Sequence, residues 1–286
     1  MRISVIIPVH NRPEMIRRAV HSVLGQTRIP EEIILVDDGS TDETPDVLEK
    51  MRKSSPELIR VLTHEENRGV SAARNTGIQE SSGGWIALLD SDDEWKPGKL
   101  GEQVNYHRGH PDLIISQCNE IWIRNGRRVN KRDIHRKQYG RFFQGSLKLC
   151  LVTASATIMH RDLFREVGHF DTNLPACEDY DFWLRVLKRY PIGLLDEPLV
   201  IRYGGHSDQL SSRFWGMDRW RVEAMEKHVD CDLPREWKIA LYEELISKLS
   251  ILQQGATKRN KPEAEIYQRK IEHYSARLQQ YTGEDE

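Results

Sequence analysis

The chain has 286 residues, 30% charged and 38% hydrophobic, with 42 lysines and arginines against 44 acids. That length suffices for one sizeable α/β core with an appendage, and the near-zero charge balance gives no support to a general nucleic-acid binder. Four scattered cysteines, Cys118, Cys150, Cys177 and Cys231, form no C-x-x-C pair and read as reduced thiols of a cytoplasmic protein.

The N-terminal run Ile3–Ile7 is continuously apolar, as in a strand buried on both faces, and it stops at a proline too soon for a signal peptide. Asn11 is placed to cap a helix begun by Pro13, along which Met15, Ile16, Ala19, Val20, Val23 and Leu24 recur at helical spacing. Ile33–Val36 predicts a second strand ending in Asp37-Asp38-Gly39-Ser40. A helix over Glu43–Lys53, a strand over Leu58–Leu62, a helix over Val70–Glu80 and a strand over Trp85–Leu89 follow. This alternation predicts a mostly parallel sheet with helices on both faces.

The pattern then changes. Leu113–Ser116 and Glu120–Arg124 read as strands, and Asn125-Gly126 as a hairpin turn. Ser155–His160 predicts a strand, Asp179–Arg189 a helix, and Ile192–Leu195 and Leu199–Tyr203 two short strands. From Phe214 the chain reads as helical. Trp237, Leu241, Leu245, Leu249 and Leu252 line one face, and Tyr267, Ile271, Tyr274, Leu278 and Tyr281 another. Such a hairpin packs on the main domain or forms a homodimer interface. No apolar run reaches the ~20 residues of a membrane span.

Acids gather where two predicted strands end: Asp37 and Asp38, then Asp90, Ser91, Asp92 and Asp93. Ligands of open parallel sheets bind outside the carboxyl ends of strands. Crowded carboxylates there need a cation or a hydrogen-bonding ligand, and a hard ion such as Mn²⁺ or Mg²⁺ takes carboxylate and phosphate oxygens together. Turn chemistry alone also places Asp and Ser in loops. Arg74 lies among small residues, Ser71, Ala72, Ala73 and Gly77, that let a helix approach a sheet closely. It reads either as a bidentate phosphate contact or as an ordinary salt bridge. Asp179 opens a helix, where the dipole favours an ionised carboxylate, which suits a cap or a general base. Residues 124–141 carry Arg124, Arg127, Arg128, Lys131, Arg132, Arg136, Lys137 and Arg141 against Asp133 alone. They form a solvated basic loop or an attractor for phosphate-bearing acceptors.

Taken in order, ISVIIPVHNR, ILVDDGSTDET, NRGVSAARNTGI, GGWIALLDSDDEW and ACEDYDFWLR resemble the family 2 glycosyltransferases over roughly residues 1–206. The resemblance implies a GT-A-type, Rossmann-like three-layer α/β domain with a mixed, mostly parallel sheet over residues 1–213. Its nucleotide-binding half is about 1–95 and its acceptor-binding half about 96–213, with a helical C-terminal extension over 214–286. The implied activity is inverting transfer of a sugar from a nucleotide diphosphate, UDP by family frequency, to a hydroxyl of a saccharide or lipid-linked acceptor in cell-surface polysaccharide synthesis. Pro8, Val9, His10, Asn11, Asp38 and Asn67 are expected around the nucleotide. Asp37 is expected on the uracil, Arg74 near the diphosphate, and Asp90-Ser91-Asp92 on ribose and metal. The pair Glu178-Asp179 is expected to supply the catalytic base, Asp179. His206, in a late glycine-rich loop, is expected to complete the metal site with Asp92.

A cytoplasmic protein, peripheral to the inner face of the membrane and without a nucleic-acid partner, is expected. Two other readings fit less well. A sugar nucleotidyltransferase calls for a glycine-rich basic loop where Pro8-Val9-His10-Asn11-Arg12 stands. A non-catalytic nucleotide-sugar binder is expected to lack one of Asp90, Asp92 and Asp179, and all three are present.

Overall fold

The structure, a computed structural model, describes residues 1–205 and 216–283. His206 and the expected boundary at 213/214 lie outside the described residues. The first part alternates as anticipated: β1 (Ile3–Val9), α1 (Pro13–Leu24), β2 (Glu32–Asp37), α2 (Thr44–Ser54), β3 (Ile59–Thr63), α3 (Val70–Glu80) and β4 (Trp85–Leu88). Strands β1 to β4 are mutually parallel in the order β3-β2-β1-β4. Along β1 and β2 alternate side chains enter opposite layers. Val5, Ile7, Ile33 and Leu35 meet Ile16 and Val20 of α1 and Leu48 of α2, whereas Ile6, Ile34 and Val36 meet Ala73 and Ile78 of α3. Period-two exposure of apolar residues to two cores is what a doubly covered strand requires.

The sheet continues with β5 (Glu94–Trp95), α4 (Lys99–Gly109), β6 (Ile115–Arg124), β7 (Arg127–Val129), α5 (Phe143–Leu147), β8 (Thr157–His160), α6 (Asp162–Val167), α7 (Glu178–Arg189) and β9 (Gly193–Gly204). The full order is β3-β2-β1-β4-β8-β6-β9-β5, with β7 hairpinned on β6. Strand β8 runs antiparallel to both β4 and β6, and β9 runs parallel to β6. Helices α8 (Asp218–Glu226), α9 (Arg235–Thr257) and α10 (Glu263–Thr282) complete the described chain. Trp237 of α9 stacks on Phe143 of α5 at 5.0 Å, and Leu241, Leu245 and Leu249 join the core that holds Phe182 and Leu187 of α7. The C-terminal hairpin therefore packs on its own domain. None of the described helices is long and apolar enough to cross a membrane.

Several local readings need correction. Asn11 does not cap α1. The cap position falls on Arg12, while Asn11 turns to a positive φ of 51° and its Oδ1 accepts from the Thr41 amide at 2.8 Å. The two short strands expected between 113 and 124 are largely one strand, β6. Those between 192 and 203 are one strand, β9, whose ladder is irregular around Cys118, Asn119 and Glu120. Helices α4, α5 and α6 were not anticipated. The buried face of α4 includes Lys99, Gln103 and His107, so it shows little apolar periodicity. Those polar groups find partners inside: Lys99 donates to the Thr157 carbonyl at 3.2 Å and Gln103 to that of Ala156 at 3.1 Å.

Candidate active site

Chain order reverses across the sheet between β1 and β4, and the loops that leave these two strands face each other. Residues 10–12 follow β1 and are joined to the loop after β2. The His10 ring Nδ1 lies 2.9 Å from the Asp38 carbonyl, and the amides of Asn11 and Arg12 donate to the hydroxyls of Ser40 and Thr44, each at 2.9 Å. Pro8 and Val9 are buried in β1 beneath this loop. Asp37 is buried, and its Oδ1 accepts from the Ser40 amide at 3.0 Å. Asp38 faces inward. Its oxygens accept from the amides of Arg68 at 3.0 Å and Gly69 at 2.8 Å, with His64 Nδ1 at 2.7 Å. It thus fixes the loop that leads into α3. Gly39, at φ 67°, lets that loop come so near that a Cβ there would sit 2.4 Å from the Glu66 carbonyl carbon, which brings exposed Asn67 to the same rim.

The loop after β4 carries the acid cluster. Asp90, Asp92 and Asp93 present carboxylate oxygens all within 4.8 Å of one another. Like charges so close repel, and cations hold them. Arg12 lies 3.2 Å from Asp92 and donates to Ser91 Oγ at 3.3 Å. Arg18 of α1 donates to the Asp92 carbonyl at 2.6 Å while lying 3.7 Å over the Tyr203 ring. From the sequence Asp93 is only one of the gathered acids, with no role assigned to it. It is buried, and its carboxylate accepts from the Ser155 hydroxyl at 2.6 Å and the Tyr203 amide at 3.2 Å. Burial first, and then the charge of Asp92, push its pKa well above the usual carboxylate range. Ser155 in turn accepts from the Asp90 amide at 3.1 Å, so one hydroxyl from the turn just before β8 braces both ends of the acid loop. The donor set, three carboxylates at the mouth of the sheet, fits a hard divalent cation.

Arg74 turns inward from α3. Its guanidinium donates to Asp90 at 2.7 Å and to Glu178 at 2.8 Å. Burial opposes its charge, but Asp90, Glu178 and Asp179 outweigh that, so it stays ionised. One side chain therefore ties the acid loop of β4 to the start of α7. Before α7, Cys177 adopts a left-handed conformation at φ 62°, a strained choice for a residue with a Cβ. The bend sends the next two acids apart: Glu178 is buried on Arg74, whereas Asp179 is partly open. Burial and the neighbouring Asp179 charge push Glu178 up to about 7 against the pull of Arg74.

Arg202, near the end of β9, was also missed. It lies 3.6 Å from Glu120 and among Asp93, Asp90 and Asp179. Burial lowers its pKa, but those acids raise it by more, so it stays charged. Its partners come from three separate stretches of chain, and the strand around it gives no local motif. Glu120 also draws in two of the basic residues of 124–141: Lys137 at 3.5 Å and Lys131 at 3.4 Å.

The glycosyl transferase family 2 model matches residues 4–168. A putative teichuronic acid biosynthesis glycosyltransferase, TuaG, of Bacillus subtilis (strain 168) is 32% identical over 214 residues, covering 74% of this chain and 82% of that protein. An uncharacterized glycosyltransferase of Rickettsia felis is also 32% identical, over 224 residues. There the match takes in 74% of this chain but only 35% of the relative, so the chain spans about a third of that protein's length. Among solved structures, Staphylococcus aureus TarS 1-349 in complex with UDP-GlcNAc superposes with a TM-score of 0.73 at 19% identity, over 99% of this chain and 92% of that one. The mannosyltransferase PcManGT of Pyrobaculum calidifontis, in complex with GDP-Man and Mn²⁺, gives 0.64 at 17% identity, over 100% and 88%. At such identities these likenesses establish the fold, which is of the GT-A type.

Proposed function

The chain belongs to glycosyl transferase family 2, and from that premise we propose that it is an inverting, divalent-metal-dependent enzyme moving a sugar from a UDP-sugar to a hydroxyl of a saccharide or lipid-linked acceptor. The observation that carries the reading is the Arg74 guanidinium, which joins Asp90 of the D-x-D to Glu178 of the acidic pair. That link supports reading the donor-side and acceptor-side acids as parts of one site. Residues 1–213 form the catalytic domain in this reading, with the nucleotide half in about 1–95 and the acceptor half in about 96–213. Residues 214–286 are its extension. The TarS complex with UDP-GlcNAc supports a uridine nucleotide, and the teichuronic acid relative supports cell-surface polysaccharide synthesis.

Asp37 and Asn67 meet the base, with His10 and Asn11 along the rim and Asp38 bracing the loops from behind. Asp90 and Asp92 take the ribose and the metal. The Mn²⁺ in the mannosyltransferase complex supports such an ion, and when bound it would neutralise charge on the departing diphosphate. Arg74 and Arg202 add fixed positive charge beside the same leaving group. Asp179 accepts the proton of the acceptor hydroxyl as that oxygen attacks the face of the sugar opposite the diphosphate, which inverts the anomeric carbon. The protein acts in the cytoplasm at the inner face of the membrane, and a homodimer through the C-terminal helices remains part of the reading. The test is a panel of nucleotide sugars, scored by nucleotide release with Mn²⁺, Mg²⁺ or chelator. Release from a UDP-sugar that chelator abolishes is expected. Binding without release for every donor would leave a nucleotide-sugar binder instead.

A further inference from the structure

The basic segment 124–141 divides by residue type. Its lysines Lys131 and Lys137 fold in on Glu120. Arg127, Arg128, Arg132 and Arg136 stay exposed, and none of the four forms an ion pair among the described residues. Val129, Ile134 and Tyr139 stand among them and are 38%, 41% and 62% exposed, three of the seven large apolar side chains exposed in the described chain. Water is a poor place for such residues, and arginines alternate with them along the segment, from Val129 opposite Trp122 to Tyr139 beside the Gly140–Ile192 bridge at the other end of β6. The hairpin that carries Arg127, Arg128 and Val129 is not remote from the chemistry. Trp122, paired with Val129 across β6 and β7, lies under Arg202 and Lys131 at 5.5 Å each, and Arg202 reaches the acid cluster.

We propose that the exposed arginines and apolar side chains of residues 127–139 dock the protein on an anionic lipid bilayer, with the headgroup phosphates on the arginines and Val129, Ile134 and Tyr139 at the acyl boundary. Charge complementarity selects the anionic leaflet, where each basic residue near the surface is worth roughly a fivefold gain in partitioning. The apolar residues select a bilayer over a soluble acidic polymer, because a polymer leaves them wet and an interface takes them in. The proposal rests on the preceding reading only for its purpose: a hairpin seated on lipid would present a lipid-linked acceptor to Asp179 from the β6 side.

The experiment is cosedimentation of the full chain with vesicles of phosphatidylcholine alone or mixed with phosphatidylglycerol, at low and high salt. Wild type is expected to pellet with the mixed vesicles only, and less as salt rises. Arg127→Glu/Arg128→Glu/Arg132→Glu/Arg136→Glu should lower the partition coefficient at least about a hundredfold. Ile134→Ser/Tyr139→Ser should lower it severalfold without changing its salt dependence. Failure of wild type to pellet at low salt, or unchanged pelleting of the charge variant, overturns the proposal. So does binding to soluble polyphosphate with no loss in the Ile134→Ser/Tyr139→Ser variant, which would assign the surface to an acidic polymer. UDP affinity, measured on the same samples, separates the two readings. Vesicle binding without UDP binding removes the transferase reading and leaves the docking; UDP binding without vesicle binding does the reverse.

Discussion

At the scale of residues, the site is a set of carboxylates already occupied by arginines. Arg12 holds Asp92, so a metal that takes this carboxylate must draw it from a guanidinium. Arg12→Gln should tighten Mn²⁺ binding by about fivefold, the size of a partly exposed ion pair at ~1 kcal/mol, and Asp92→Asn should weaken it. Calorimetry of Mn²⁺ binding reads both, and equal affinities across the three proteins would place the metal elsewhere. With Asp179 as the proposed base, Asp179→Asn should lower transfer by ~10²–10⁴ with UDP affinity kept, because general-base catalysis is worth that much. If Glu178→Gln is inactive and Asp179→Asn is not, the roles within the pair are reversed. Lys99 gives a pH test away from the chemistry. It is buried 3.7 Å over the Trp95 ring, and burial lowers its pKa from 10.5 to about 7. The unfolded chain then binds the extra proton between those values, so stability rises with pH across that window. Lys99→Met should raise the urea midpoint at neutral pH, and the gain should vanish at strongly alkaline pH. A gain independent of pH would point to packing instead. Asp37, Asp90 and Asp92 stood out in the sequence because strand ends and spacing marked them. Asp93 was marked only as a member of that acid run, and Ser155 and Arg202 carried no role, since what defines all three is a partner 62 or more positions away.

At the scale of elements, α3 shows how a helix is fitted to a sheet. Its boundaries, Val70–Glu80, were legible from composition alone, and its small residues serve close approach. A Cβ on Gly77 would lie 2.4 Å from Ile6 Cγ2. Gly77→Ala should therefore destabilise the protein by about 1–3 kcal/mol through overpacking, despite alanine's better helix propensity. Urea denaturation checks the sign, and a stabilised variant would show that the helix can lift off β1 freely. Strands β1, β2 and β4 were equally legible as short, mostly apolar runs, and β3 keeps Ile59, Val61 and Leu62 around Arg60. Strands β6 and β9 were not, because Asn119 and Asp196-Glu197-Pro198 interrupt their apolar pattern where the ladder bulges. Helix α4 was hidden for a different reason: its buried lysine, glutamine and histidine are satisfied by groups on β6 and β8 that only the folded chain supplies.

At the scale of the whole molecule, the second core layer is built jointly by α7 and the C-terminal helices, so the extension is part of the body that holds Glu178 and Asp179 in place. Across this body Arg74 belongs to α3 yet grips both Asp90 beyond β4 and Glu178 at the head of α7. A ligand that draws Asp90 toward itself alters the charge felt by Glu178, and a ligand seated at the acidic pair alters Asp90 in return. On the proposed function, such a shared grip makes the two substrates partners in a closed thermodynamic cycle. Whatever factor bound UDP-sugar contributes to acceptor affinity, bound acceptor must contribute to UDP-sugar affinity. In Arg74→Met that common factor should collapse toward one. Dissociation constants for each substrate, taken with and without a non-reacting form of the other, test both the equality and its loss.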